Sequence, residues 1–157
     1  RKWVNEYQNQ AWTLARYLLK DPAEAEDAVQ EAFVKLWRHQ DSIDPDKVKP
    51  WLMKVTRTGC LDRIRRRHPT EELQEWHHPD HVSGPMQGLY QKEQGAWIKE
   101  SINRLREPYL SLVVLRDIHQ HSYAEVAGVL ELSLAQVKTY LQRARKQLRE
   151  QLAEVRP

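Results

Sequence analysis

Apolar residues recur at steps of three and four along most of this chain, the period of a helix with one buried face. Val4, Tyr7, Ala11, Leu14 and Leu18 begin the pattern and predict a helix from Val4 to Leu19. It stops at Lys20-Asp21-Pro22. There Asp21 is suited to an N-cap, Pro22 to the first helical position, and Glu24 to the acid of a capping box. The next predicted helix runs from Pro22 to His39. Ala25, Ala28, Val29, Ala32, Phe33, Leu36 and Trp37 form its apolar face, and Glu26, Asp27, Gln30 and Glu31 lie opposite. Residues 40–49 read as a loop. Pro50 to Arg67 reads as a third helix with Trp51, Leu52, Val55, Leu61 and Ile64 inward, ending in arginines that also suit the helix dipole.

Residues 68–92 break the pattern at His68-Pro69, Pro79 and Gly84-Pro85 and read as a flexible linker. Periodicity returns near Glu93. Trp97, Ile98, Ile102 and Leu105 mark one helix, ended by Pro108. Tyr109 to His119 is another, with Leu112, Val113 and Leu115 inward and Ile118 a further candidate. Ser122-Tyr-Ala-Glu125 and Ser133-Leu-Ala-Gln136 are capping boxes. The first opens a helix to Leu130; the second opens one to about Leu152 with Val137, Leu141, Ala144 and Leu148 inward. No strand pattern occurs. The expected fold is all-α: two small helical domains, 1–67 and 93–157, joined by the linker 68–92.

Composition narrows the class. In 157 residues there are 25 Lys+Arg, 22 Asp+Glu and one Cys. A single Cys forms no internal disulfide, as expected in a reducing cytoplasm. No apolar run reaches the length of a membrane span, and the N-terminus Arg-Lys-Trp-Val-Asn-Glu lacks a signal core. The absent initiator Met suggests a chain trimmed or incomplete at its start. The net charge of +3 is small, but it is segregated. Asp21 to Glu31 holds five acids and no base, Lys47 to Arg67 eight bases and one acid, and Lys138 to Arg149 five bases and no acid. Basic blocks are the electrostatic footprint of a polyanion partner.

Two capped helices about three residues apart form the pattern of a helix-turn-helix. The second carries Lys138, Thr139, Tyr140, Gln142, Arg143 and Lys146, side chains for phosphates and base edges in a major groove. In the first half, Trp51, Thr56 and Thr58 precede an arginine-rich end. Aromatic stacking and phosphate neutralisation are what single-strand binding requires.

At these residues the chain resembles a known family. Asp21-Pro-Ala-Glu-Ala-Glu-Asp-Ala-Val-Gln-Glu-Ala-Phe-Val-Lys-Leu-Trp-Arg38 and Pro50-Trp-Leu-Met-Lys-Val-Thr-Arg-Thr-Gly-Cys-Leu-Asp-Arg-Ile-Arg-Arg-Arg67 resemble region 2 of the sigma-70 superfamily, in its extracytoplasmic-function (ECF) group. Arg104 to Arg116, Ser122-Tyr-Ala-Glu-Val-Ala and Val137-Lys-Thr-Tyr-Leu-Gln-Arg-Ala-Arg145 resemble region 4. The resemblance implies a transcription initiation factor that binds core RNA polymerase, selects promoters and helps melt them. It implies contact of Glu26, Asp27, Gln30, Glu31, Phe33 and Leu36 with the clamp helices of the largest polymerase subunit. Trp51, Lys54, Arg57, Thr58, Arg63, Arg65, Arg66 and Arg67 would hold the melted minus-ten element. Ser133, Gln136, Lys138, Thr139, Tyr140, Gln142, Arg143 and Lys146 would read the minus-thirty-five element beside the polymerase flap. An anti-sigma factor is the implied inhibitor. Three positions depart from the family: Thr58 where Asn is common, Glu131 where Gly is usual in the turn, and Tyr140 in place of Arg.

Other readings have weaker footing. Cys60 has no His nearby in sequence and reads as a buried structural residue, so no enzyme is expected. The linker histidines His68, His77, His78 and His81 match no metal-finger spacing, so neither metal nor cofactor is expected, nor a small-molecule substrate. A stand-alone helix-turn-helix regulator is the alternative; it would bind its operator without polymerase.

Overall fold

The computed structural model describes residues 2–67 and 93–155. The segment read as a linker, with its four histidines, lies outside the described residues. Three long helices come first: α1 (Lys2–Leu18), α2 (Pro22–His39) and α3 (Val48–Arg67). Two 3₁₀ turns, Gln40–Ser42 and Pro45–Lys47, lead from α2 into α3. After the second half begins, α4 (Glu93–Asn103) is followed by α5 (Tyr109–Val113), which runs on as a π-helical segment, Val114–Ile118. Then come α6 (Tyr123–Leu130) and α7 (Leu134–Val155). No strand occurs among the described residues.

Local chemistry sets most of these boundaries. The Asp21 carboxylate accepts from the Ala23 N–H, capping α2 behind Pro22. The expected capping box there does not close, because Glu24 turns instead to Arg67, 3.1 Å away. Helix α3 begins two residues before Pro50. Asp44 caps the preceding 3₁₀ turn by accepting from Asp46 N–H, and that turn feeds directly into the helix. Pro50 is tolerated because the first-turn N–H groups lack intrahelical partners in any case. Both later capping boxes form: Ser122 with Glu125 at 3.1 Å in each direction, and Ser133 with Gln136 at 3.0 Å in each direction.

Alanines on facing sides bring the first three helices close. Ala11 and Ala15 of α1 and Ala25, Ala28 and Ala32 of α2 are all buried, with Leu14, Leu18, Leu36, Leu52, Met53 and Ile64 filling the spaces between. Each fully buried leucine contributes about 1.5–3 kcal/mol relative to exposure. In the second unit Leu105, Leu110, Leu112, Val114, Leu115, Val126, Val137, Leu141 and Ala144 form the core. Two inward assignments are corrected: Trp37 is 41% and Ile118 39% exposed, whereas Leu148, like Trp51 and Val55, is half-buried and packs against the core. Trp37 sits one position past the helix stripe that Leu36 closes. Ile118 is the last residue of the π-helical segment, whose wider turn rotates it out of the α-helical register.

Helix α3 is the pivot of the molecule. It packs on α1 and α2 on one side and on α6 on the other, and α1 also meets α5. The two units therefore share one continuous body of buried apolar side chains.

Candidate nucleic-acid and polymerase interface

Four exposed side chains of α2, Glu26, Asp27, Gln30 and Glu31, form a polar face, with Gln30 Nε2 3.5 Å from Glu26 Oε2. Phe33 is half-buried beside them. Leu36 does not belong to this surface: it is 1% exposed and part of the core, so a partner cannot reach it. Sequence reasoning missed Val34, which is 47% exposed. Together with Trp37 it continues the face of Asp27, Gln30 and Glu31 at helical steps, so an apolar strip adjoins the acidic one. The spacing 27-30-34-37 carried that signal.

The eight residues assigned to the minus-ten element are distributed over three sides of α3. Arg63 and Arg67 face α2, pairing with Glu31 at 2.8 Å and Glu24 at 3.1 Å. Lys54 and Arg57 face the second unit. Lys54 Nζ lies 2.8 Å from Glu131, and Arg57 is bound by Glu107 and Ser111. Thr58, Arg65 and Arg66 are exposed, and Arg65 pairs with Asp62 one turn away at 3.1 Å. Trp51 is half-buried, its ring tilted against that of His39 with centroids 6.0 Å apart. Thr56, grouped in sequence with the stacking residues, is fully buried and faces the core. Nearby Cys60 is also buried; burial pushes its thiol up to about 12, which keeps it in the unreactive protonated form.

In the helix-turn-helix, α6 ends at Glu131, whose backbone is left-handed with φ 59°. The Leu132 N–H donates to the Ala127 carbonyl at 3.0 Å, completing a Schellman-type ending. A side chain at this φ is strained relative to glycine. The exposed Glu131 carboxylate finds Lys54, and that hydrogen bond holds it below its ordinary carboxylate range.

From Leu134 onward α7 presents Lys138, Thr139, Gln142, Arg143 and Lys146 to solvent. Ser133 and Gln136 also lie at the surface, but their side-chain oxygens are engaged in the reciprocal cap. Tyr140 is half-buried, edge-on to Tyr109 with centroids 6.0 Å apart. Its face carries the Arg143 guanidinium, 5.5 Å from the ring centroid. Arg145, on the other side of the helix, is bound by the Asp117 carboxylate, and that hydrogen bond raises the guanidinium's already high pKa.

These features agree with known proteins. Residues 3–70 match the family model for Sigma-70 region 2, and residues 96–148 match that for Sigma-70, region 4. The ECF RNA polymerase sigma factor SigW of Bacillus subtilis is 30% identical over 97% of this chain and 88% of its own length. The ECF RNA polymerase sigma factor SigE of Mycolicibacterium smegmatis is 30% identical over 96% of this chain, which spans only 60% of that protein. Two solved structures share the fold at a TM-score of 0.72. One is the sigma factor RpoE of Bartonella quintana in complex with the anti-sigma factor NepR, 22% identical and matched over 99% of both chains. The other is CnrH in complex with the cytosolic domain of CnrY, 24% identical and matched over 98% of this chain and 87% of that one. No helix among the described residues is long and apolar enough to cross a membrane. With both sigma regions matched in order and a 30% identical relative covered nearly end to end, the chain belongs to the sigma-70 family, among the ECF RNA polymerase sigma factors.

Proposed function

We propose that this ECF sigma factor divides its work between oppositely charged surfaces on different helices, and this separation carries the reading. The face of Glu26, Asp27, Gln30, Glu31, Val34 and Trp37 on α2 docks core polymerase at the clamp helices of its largest subunit. The outer side of α3, with Trp51, Thr58, Arg65 and Arg66, takes the melted minus-ten strand, joined by Lys54 and Arg57 once they are released from Glu131 and Glu107. Lys138, Thr139, Gln142, Arg143 and Lys146 of α7 enter the duplex upstream, near the polymerase flap. Separating base pairs costs about 1.4 kcal/mol per step, and aromatic stacking with phosphate contacts offsets that cost. The role asks no covalent chemistry of this chain, and it is exercised with polymerase in the cytoplasm.

The occupied state of Lys54 and Arg57 supports reading the present arrangement as an inactive one. An anti-sigma factor that holds the two units together would preserve it. Its candidate seat is a cavity of about 650 Å³ where the units meet, lined by Trp12, Tyr17, Ile98, Lys99, Ile102 and Ile118. Of the structural neighbours, RpoE was solved with the anti-sigma factor NepR and CnrH with the cytosolic domain of CnrY.

Reconstituted transcription with purified core polymerase tests the division. Arg65→Ala combined with Arg66→Ala is expected to impair open-complex formation much more than core binding. Equal loss of both, or failure of the wild-type assembly to initiate at any genomic promoter, refutes it.

A further inference from the structure

His119 and His121 lie between the π-helical segment and α6, and both turn their rings to one residue of the other unit. His119 Nε2 is 3.2 Å from the backbone carbonyl of Gln10, and His121 Nε2 is 3.3 Å from the Gln10 side-chain oxygen. Both partners are oxygen acceptors, so each ring donates its Nε2–H. The ring centroids are 6.4 Å apart.

The surroundings of His121 do not suit a cation. Its ring is buried, and its Nδ1 has no hydrogen-bond partner. The Glu125 carboxylate stands 3.4 Å from Nδ1, but the same oxygen already accepts from the Ser122 N–H in the cap of α6. From α1 come Gln10 and Tyr7, with Glu6 beside Tyr7. From α3 comes Lys49, whose ammonium lies 6.0 Å from the Tyr7 ring centroid. From its own segment Arg116 donates to the His121 carbonyl at 2.8 Å and stacks over Tyr123. Burial, Lys49 and His119 thus oppose a charge on the His121 ring, and the partly committed Glu125 carboxylate favours one.

We propose that His119 and His121 form an acid-sensitive latch between the two units, neutral and donating to Gln10 while the units are together, and driving them apart when protonated. The sigma-factor reading says only what such opening serves; the latch is a property of the chain alone. Burial first, and Lys49 second, hold His121 down to about 4 in the closed form. Burial likewise lowers His119, against the raising effect of its bond to Gln10. When the units part, the Nε2 sides of both rings lose α1, meet water, and return toward about 6.5. The closed form therefore binds fewer protons. Its advantage is complete above pH about 6.5 and is lost as pH falls toward 4. His121 alone raises the open-to-closed ratio about tenfold between pH 7.5 and 5.5.

The test is fluorescence energy transfer in the full chain, without polymerase, between dyes on Asp41→Cys and Gln147→Cys. The native Cys60 is buried and stays unlabelled. Glu107→Gln is added to weaken the Arg57 pair and bring the open form into range. The ratio is expected to rise at least tenfold from pH 7.5 to 5.5, and with His121→Gln this rise is expected to fall by about tenfold, to the part that His119 contributes. Gln10→Glu, on the opposing helix, offers both imidazoliums a carboxylate and is expected to abolish or reverse the rise; it serves even if His121→Gln does not fold. A ratio that is flat or falls on acidification, an open form undetected at both pH values, or an equal rise in the His121→Gln chain overturns the latch.

Discussion

The guanidinium of Arg57 on α3 grips the carboxylate of Glu107 across the junction of the two units, Nη2 at 2.8 Å and Nε at 3.0 Å from the same oxygen. Ser111 closes the arrangement: its hydroxyl donates to Glu107 at 2.7 Å and accepts from Arg57 Nε at 3.0 Å, and its N–H donates to the second carboxylate oxygen at 2.9 Å. The side chains are 17% and 6% exposed. Under the proposed function, a phosphate would have to displace Glu107 to reach this cation.

Removing one partner leaves the other desolvated and unmatched, so Glu107→Ala is expected to destabilise the chain by roughly 2–4 kcal/mol. Arg57→Ala should cost a similar amount, and the double variant much less than the sum. Urea unfolding of all four chains gives the coupling. A value under about 0.5 kcal/mol means the units are not fastened here.

The thiol of Cys60 is expected to be nearly inert. With its ionisation pushed to about 12, the thiolate at pH 8 is about a thousandfold scarcer than in an ordinary cysteine, before access is considered. Alkylation should therefore be at least that much slower in the folded chain than in urea. Rapid modification without denaturant would show that the α3 core opens readily.

Ser133 caps α7 through its reciprocal bonds with Gln136. As a cap its replacement by Ala costs about 1 kcal/mol of stability, whereas Ser133→Asp keeps the cap acceptor and its stability. Thermal unfolding checks both. If Ala at this position leaves the melting temperature unchanged, the bonds between Ser133 and Gln136 contribute nothing to the start of α7.

What could be read from sequence follows the range of the interactions involved. The start of α2 at Pro22 and the boxes at Ser122 and Ser133 depend on residues three apart, and they form as the local chemistry dictates. Glu131 was visible as an oddity because a turn that wants glycine announces itself; its partner Lys54, 77 positions earlier by subtraction, was not. The basic run of α3 looked like one patch, yet it separates into pairs with Glu24, Glu31, Glu107 and Glu131 on three sides. Nothing local reveals which acid a given arginine meets. Leu36 and Trp37 show the same limit at one residue's resolution. Both fit an apolar stripe, and only the position of α3 against α2 buries one and leaves the other at the surface.

Arg143 and Lys146 differ in a way that promoter selection can detect. Arg143 is steadied by the face of Tyr140, which is itself braced by Tyr109, so its planar donor fork is presented in a restricted orientation. Lys146, one turn further, is an exposed point charge. Arg143→Ala is therefore expected to cost about 1–3 kcal/mol at one base position and to relax discrimination there. Lys146→Ala should instead weaken binding evenly across promoters and reduce the salt dependence by about one phosphate contact. Initiation from a promoter library by polymerase carrying each variant, read at two salt concentrations, distinguishes them. Tyr140→Phe should retain the discrimination and Tyr140→Ala should lose part of it. If Tyr140→Ala leaves base preference intact while Arg143→Ala changes it, the ring does not position the guanidinium.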